Sequence, residues 1–239
     1  MGSIAVAIIC KTPMAGRSKT RLAPPLRPEE CATISACFIA DLAATIATLE
    51  RPARPYVVYT PVGSEPALFA LLPPGFGLVP QGEGDLGARL LRGIADLLAA
   101  GHDGAILINS DSPTLPPAIL AQAVAALSRG EPLAIAPAHD GGYTLIGLRS
   151  AAPRLFEDIA WSTETVFEAT LERAREIGMP ATVLDSWYDI DDAASYAMLE
   201  AELDGTPPGF ARAGLAPRDA PRTRAFVERR RAQPEARRA

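Results

Sequence analysis

The 239-residue chain is 48% hydrophobic, enough for one sizeable core and too short for two comfortable ones, and it has no uninterrupted apolar stretch near a membrane span of roughly 20 residues. Its net charge of −5 is uneven: from Thr206 onward nine arginines face three acids, a net +6, which leaves −11 on residues 1–205 and makes that body a poor nucleic-acid surface. Two histidines and three cysteines without C-x-x-C spacing exclude a His/Cys zinc site, so any metal is expected to be a hard cation on carboxylates.

The run Ile4–Ile9 is apolar throughout and rich in β-branched residues, which reads as a strand buried on both faces, as in a parallel sheet. It leads directly into a loop with Pro13 and Gly16, instead of forming the core of a basic-then-apolar leader, so a cytoplasmic protein is expected. Lys11, Arg17, Lys19 and Arg21 crowd this loop. Four cations so close repel each other unless an anion is present. A phosphate cradle beyond the carboxyl end of the first strand explains them better than a solvated basic loop. Lys19-Thr20 matches the end of a Walker loop, but Pro13 and Ser18 stand where its two glycines belong. A P-loop is therefore rejected.

Pro28 opens a helix with Glu29 and Glu30 near its positive end, and Ile34, Phe38, Leu42, Ile46 and Leu49 form its buried stripe. Cys10, Cys31 and Cys37 read as small core residues of a reducing compartment. Tyr56–Tyr59 is the second strand, Ser64 caps a short helix running to Leu72, and Phe76–Val79 is a weak third strand. In Gln81–Arg89, Asp85 caps a helix whose apolar face holds Leu86, Leu90, Ile94 and Leu97. Gly82, Gly84 and Gly87 permit a ligand to come close, and Arg89 projects from the first turn. Contact with substrate or nucleotide stands here beside a plain turn and cap.

Gly104–Ile108 is a second strongly buried strand and ends in Asn109-Ser-Asp-Ser-Pro113. A carboxylate held at a strand end by a turn-forming proline is a rigid ligand for a divalent cation that bridges phosphate oxygens. The alternative is an Asp111 that merely shapes the turn. A helix from Pro117 to about Leu127 and a strand at Leu133–Ala136 follow, then Asp140-Gly141-Gly142, a strong turn signal, with a returning strand from Tyr143 to Leu148. His139 is left as an edge residue. Ser162 or Thr163 caps the next helix, whose free N–H groups could bind an anion. A short strand at Ala181–Leu184 precedes Trp187-Tyr-Asp-Ile-Asp-Asp192 and a last helix with Tyr196, Leu199 and Leu203. Asp189, Asp191 and Asp192 would repel strongly without a cation nearby.

Five segments carry a family resemblance over roughly Ile4–Leu203. Lys11-Thr-Pro-Met-Ala-Gly-Arg-Ser-Lys-Thr-Arg-Leu22 resembles the signature loop of the radical-SAM/selenodomain-associated transferase 1 family, within the glycosyltransferase-A type nucleotidyltransferases. A similar K-[ST]-R-L occurs in 2-phospholactate guanylyltransferases, and molybdenum cofactor guanylyltransferase is similar. The Gln81–Leu90 element, the Asp111-x-Pro113 segment, Asp140-Gly-Gly-Tyr-Thr-Leu-Ile-Gly147 and Asp189-Ile-Asp191 resemble the family's remaining motifs. There are two departures: Asn109 replaces a more usual Gly or Thr neighbourhood, and the family's D-I-D-T-x-x-D-L becomes Asp189-Ile-Asp-Asp-Ala-Ala-Ser-Tyr196. The resemblance implies that Asp111 does the work of an Asp-x-Asp metal motif and that Asp191, with Asp189 as second choice, completes a Mg²⁺ or Mn²⁺ site. It also implies that Asp140, Gly141, Gly142 and Tyr143 line the acceptor side, where Ser162 and Thr163 are added as substrate residues from the helix start read above. Lys11, Gly16, Arg17, Lys19, Arg21, Gly82, Asp85 and Arg89 are then the phosphate and nucleotide residues, with Lys19, Arg21 and Asp111 in the catalytic roles.

Alternating strands and helices predict a three-layer α/β/α sandwich around a mainly parallel sheet, which the resemblance makes the glycosyltransferase-A, or nucleotide-diphospho-sugar transferase, type. Residues 1–205 are expected to form a nucleotide-dependent transferase domain, and 206–239 a poorly ordered arginine-rich tail. The favoured reaction is nucleotidyl transfer from a nucleoside triphosphate to a phosphorylated or carboxylated small molecule. The alternatives are glycosyl transfer from a nucleotide sugar and a non-catalytic nucleotide-binding module. The partners are then a nucleotide and a small molecule, with neither nucleic acid nor membrane. The base, the acceptor and the oligomeric state stay open.

Overall fold

The computed structural model describes residues 2–233. Seven strands form one sheet in the order β3-β2-β1-β4-β6-β5-β7: β1 (Ile4–Lys11), β2 (Ala53–Thr60), β3 (Gly77–Pro80), β4 (Gly104–Asn109), β5 (Leu133–Pro137), β6 (Tyr143–Leu148) and β7 (Ala181–Val183). Only β6 runs antiparallel, pairing with β4 and β5. The central strands show why a continuous apolar run was needed. Ile4, Val6 and Ile8 of β1 and Ile106 and Ile108 of β4 enter one core, while Ala5, Ala7, Ala105 and Leu107 enter the other. A strand with period-two side chains and no wet face must be apolar at both parities.

Helix α1 (Pro28–Ile46), the short α2 (Glu65–Phe69), α4 (Pro117–Ser128) and α6 (Ala193–Leu203) cover the first core. Helix α3 (Leu86–Ala99) and α5 (Val166–Glu176) cover the second. This is the expected three-layer sandwich. Two helix starts differ from expectation. Ser64 precedes α2 without capping it, because its hydroxyl donates to the Pro61 carbonyl (2.6 Å) and pairs with Thr12 Oγ1 (2.6 Å). Helix α5 begins three residues after Thr163, whose hydroxyl bonds the Ala160 carbonyl at 2.7 Å. Cys10 and Cys31 are buried and Cys37 half-buried. No helix among the described residues is long and apolar enough to cross a membrane.

The poorly ordered tail expected from 206 onward is corrected up to residue 233. Helix α7 (Pro221–Arg231) lies on α1 with Phe226 and Val227 buried, although its mean composition is strongly polar. Its start is held from a distance: Asp41 Oδ1 accepts from Arg222 N (3.1 Å) and Oδ2 from Thr223 N (2.8 Å). Those orphan N–H groups need an acceptor, and the acceptor is 181 residues away in sequence. Ahead of α7, Phe210 packs on His139, Trp187 and Tyr188, and Arg218 N donates to the Thr114 carbonyl. The expectation for 234–239 lies outside the described residues.

Strand β1 has its sequence successors β2 and β3 on one side and β4 on the other, with α1 and α3 on opposite faces. The sheet therefore has a topological switch point between the carboxyl ends of β1 and β4, where crevices form in open α/β sheets.

Candidate active site

A cavity of about 460 Å³ occupies that switch point, a volume suited to a small-molecule ligand. The loop after β1 supplies one wall. Arg17 N and Ser18 N donate to the Met14 carbonyl, and Ser18 Oγ accepts from Met14 N. Gly16 sits in this turn at φ +71°, so its contribution is backbone shape, and it does not line the cavity. Lys19 is itself left-handed (φ 50°, ψ 40°), an uncommon state for a residue with a Cβ, and precedes a single 3-10 turn at Thr20–Leu22. That backbone turns Lys19 inward, where its side chain is 8% exposed.

Lys19 Nζ bridges two carboxylates from distant loops: Asp111 Oδ2 at 2.7 Å and Asp191 Oδ1 at 2.8 Å. Arg21 Nη2 meets the other oxygen, Asp191 Oδ2, at 2.5 Å. Burial opposes the charge on Lys19, but attraction and hydrogen bonds to Asp111 and Asp191 outweigh it and hold its pKa above the ordinary lysine value. Lys11 and Arg17 line the cavity and make no ion pair among the described residues. Arg89 also lines it, with Nε donating to the Gly84 carbonyl at 2.9 Å.

Asp111 sits just past β4, and Ser110 Oγ donates to its Oδ1 at 3.0 Å. Asp140 follows β5, and its Oδ1 accepts from Gly142 N at 2.9 Å. Gly141, at φ +90°, lets this turn lie against the next loop; a Cβ there would fall 2.0 Å from the Glu164 carbonyl oxygen. Carboxylate oxygens of Asp140, Asp189 and Asp191 lie within 4.8 Å of one another. Burial, reinforced by Asp191, Asp140 and Asp111, pushes Asp189 up to about 7 against the opposing influence of Lys19. An all-oxygen group in which Asp191 and Asp140 crowd a buried Asp189 fits a hard divalent cation such as Mg²⁺ or Mn²⁺. The grouping differs from the expected pairing. Asp140 joins Asp189 and Asp191, while Asp111 is engaged by Lys19.

Of the other expected site residues, Gly142, Tyr143, Ser162 and Thr163 line the cavity, whereas Gly82, Asp85 and Gly141 do not. Gly82 faces the Arg92 side chain, and Asp85 caps α3 by accepting from Ala88 N at 2.8 Å. The sequence placed Gln81 only within the Gln81–Arg89 contact element and Trp161 only at a helix start, and both line the cavity. Gln81 is buried, with Nε2 donating to the carbonyls of Cys10 (2.7 Å) and Val58 (3.2 Å), which fixes the carboxamide. A glutamine at a strand end beside glycines was the available signal. Cys10 also borders the cavity, but burial and, secondarily, Asp111 push its thiol up to about 12, so it is no nucleophile at neutral pH.

Residues 43–163 match the family described as "Uncharacterized protein conserved in bacteria (DUF2064)". That span is half of the chain. The chain belongs to this family. The match includes Asp111 and Asp140, whereas four charged residues of this DUF2064 site, Lys19, Arg21, Asp189 and Asp191, lie outside it. A search of curated proteins by sequence found no match.

Among known structures, a protein from Desulfovibrio desulfuricans G20 with the provisional description nucleotide-diphospho-sugar transferase superposes with a TM-score of 0.82 at 27% identity, covering 97% of this chain and 96% of its own. A CMP:2-keto-3-deoxy-manno-octonic acid synthetase in complex with CTP superposes at 0.55 with 11% identity, covering 84% of this chain and 98% of its own. The 4-diphosphocytidyl-2C-methyl-D-erythritol synthase of Anaerococcus prevotii DSM 20548 superposes at 0.56 with 10% identity, covering 85% and 97%. The DUF2064 chain thus has the nucleotide-diphospho-sugar transferase fold, and the two distant likenesses bear on the fold alone.

Proposed function

We propose that this DUF2064 protein is a metal-dependent transferase that uses a nucleotide, and that it moves a nucleotidyl group from a nucleoside triphosphate to a phosphorylated or carboxylated small molecule. The observation that carries the reading is the ion lattice at the switch point. Lys19 and Arg21 are held there by Asp111 and Asp191 beside the further cations Lys11, Arg17 and Arg89. A polyphosphate has the charge and reach to engage these cations together, with about 1.5–3 kcal/mol for each charge-assisted contact. The resemblance of Lys11–Leu22 to the radical-SAM/selenodomain-associated transferase 1 loop supports the same assignment.

In this reading Lys19 and Arg21 move from carboxylate to phosphate oxygens, orient the triphosphate and offset charge on the departing pyrophosphate. Asp140, Asp189 and Asp191 would hold a divalent cation, with Asp111 next to them across the Lys19 ammonium. Such a cation supplies Lewis-acid polarisation of a phosphate oxygen. Tyr143, Trp161, Ser162 and Thr163 wall the side left for the acceptor. Positioning and electrostatics are sufficient for this chemistry, and no side-chain nucleophile is invoked.

A second reading, glycosyl transfer from a nucleotide sugar, is favoured by the description of the 27%-identical Desulfovibrio protein. A nucleotide sugar has no γ-phosphate and leaves part of the cation set without a role. A nucleotide-binding module without catalysis would retain the cations but has no need of the carboxylate cluster. One experiment separates the three. Thermal-shift measurements with nucleoside triphosphates and nucleotide sugars, each with and without Mg²⁺ or Mn²⁺, are expected to show the largest stabilisation for a triphosphate plus metal. Assays of pyrophosphate release against candidate acid acceptors then test turnover. Stabilisation by nucleotide sugars alone would favour glycosyl transfer, and none by any nucleotide would end the reading.

A further inference from the structure

Beneath the acidic loops lies a buried carboxylate that none of the chemistry above uses. Glu202 of α6 is 8% exposed, and its Oε2 accepts from Thr114 Oγ1 at 2.9 Å and from the Tyr188 hydroxyl. Trp187 Nε1 donates to Thr114 Oγ1 at 3.2 Å, completing a four-residue network. Thr114 lies three residues after Asp111, and Tyr188 directly precedes Asp189. The two loops also touch above the network, where Ile190 N donates to the Asp111 carbonyl at 2.9 Å.

This is an expensive way to fill a core. Burial raises the pKa of Glu202, with the Tyr188 and Thr114 hydrogen bonds opposing it, and Glu202 Oε1 has no hydrogen-bond partner among the described residues. A leucine or methionine would pack there without the desolvation cost, since replacing buried charges by apolar groups is often neutral or stabilising. What an apolar side chain cannot do is fix two hydroxyls from different loops on one oxygen. Holding supporting residues in one geometry tunes a metal centre at a distance.

We infer that Glu202 is a positioning residue: through Tyr188 and Thr114 it holds the Asp189–Asp191 segment in place against the loop that follows β4, and thereby sets the affinity of the Asp140, Asp189 and Asp191 cluster for a divalent cation. The inference rests on the metal-dependent reading given above.

The test is Mn²⁺ binding to the full-length chain, with and without pyrophosphate, for the unaltered protein, Glu202→Gln, Glu202→Leu and the double variant Thr114→Val with Tyr188→Phe. Glu202→Gln keeps an acceptor oxygen and is expected to bind Mn²⁺ within about twofold of the unaltered chain. Glu202→Leu and the double variant are expected to weaken Mn²⁺ about 10-fold or more, with metal-free pyrophosphate binding unchanged. Equal Mn²⁺ affinity in all variants overturns the inference. So does a parallel loss of Mn²⁺ and metal-free pyrophosphate binding, which would mean general loosening. Should Glu202→Leu not fold, the double variant, which nearly preserves volume, decides alone. An unaltered chain that takes up no Mn²⁺ in either condition removes the metal reading, and this inference with it.

Discussion

Lys11, Arg17, Lys19 and Arg21 come from eleven consecutive residues of one loop, whereas Asp111, Asp140, Asp189 and Asp191 come from three segments spread over eighty residues. The cationic wall is a local object, shaped by the turn at Met14–Ser18 and the left-handed backbone of Lys19. The acidic wall exists only because β4, β5 and the chain entering α6 end at the same edge of the sheet. A local wall can be altered residue by residue. An assembled one depends on the packing that brings its members together, so damage to one member spreads to the others.

Asp191 joins the two walls, and its loss should have the largest effect. Asp191→Ala deprives Lys19 and Arg21 of a shared partner and the carboxylate cluster of a member. Turnover, followed as pyrophosphate release, is expected to fall by at least about 10²-fold. Retention of metal-dependent turnover would detach the acidic wall from the reaction.

Lys19→Met should come next, and its two readouts should move in opposite directions. Triphosphate affinity is expected to drop by roughly 10- to 150-fold, the equivalent of one charge-assisted contact of about 1.5–3 kcal/mol. Mn²⁺ binding without nucleotide should tighten, because the ammonium that competes for Asp111 and Asp191 is gone. Calorimetric titration of each ligand checks both. A parallel fall in the two affinities would mean that Lys19 only holds the site together.

Arg21 makes the same kind of contact in a different setting. Its side chain is 68% exposed, against 8% for Lys19, so solvent and salt screen it. Arg21→Ala should therefore cost only several-fold in triphosphate affinity, and the loss should shrink as ionic strength rises. A loss equal to that of Lys19→Met, independent of salt, would show that Arg21 is desolvated when the ligand binds.

The smallest effect on the site should come from α7, which touches neither group of charged residues through Asp41. Asp41→Ala leaves the Arg222 and Thr223 N–H groups without their acceptor, at a cost of about 1–3 kcal/mol. At about 2–4 °C per kcal/mol for a chain of this size, thermal denaturation should show a lower midpoint, with triphosphate affinity unchanged. Altered nucleotide binding would tie α7 to the site.

Much of the molecule was legible in its residues because the relevant forces are local. A six-residue apolar run rich in β-branched residues is too short for a free-standing helix and favours a strand buried on both faces. Pro28, Asp85 and Pro117 set helix starts through backbone constraints or a side-chain cap within the same turn. The crowding of four cations after β1 pointed to an anionic partner over a solvated basic loop. What the sequence could not contain is which residues of distant loops share a neighbour. Asp140 read as a turn residue on the acceptor side, yet the bridge between Ala138 and Trp187 brings it to Asp189 and Asp191. The tail read as poorly ordered because its composition lacks a core of its own, but α1 supplies the apolar surface and the Asp41 acceptor that make α7 a helix. Local propensity and charge density are properties of neighbours along the chain. The ion lattice of Lys19 and the Glu202 network are properties of neighbours across the sheet edge, and only tertiary packing decides those.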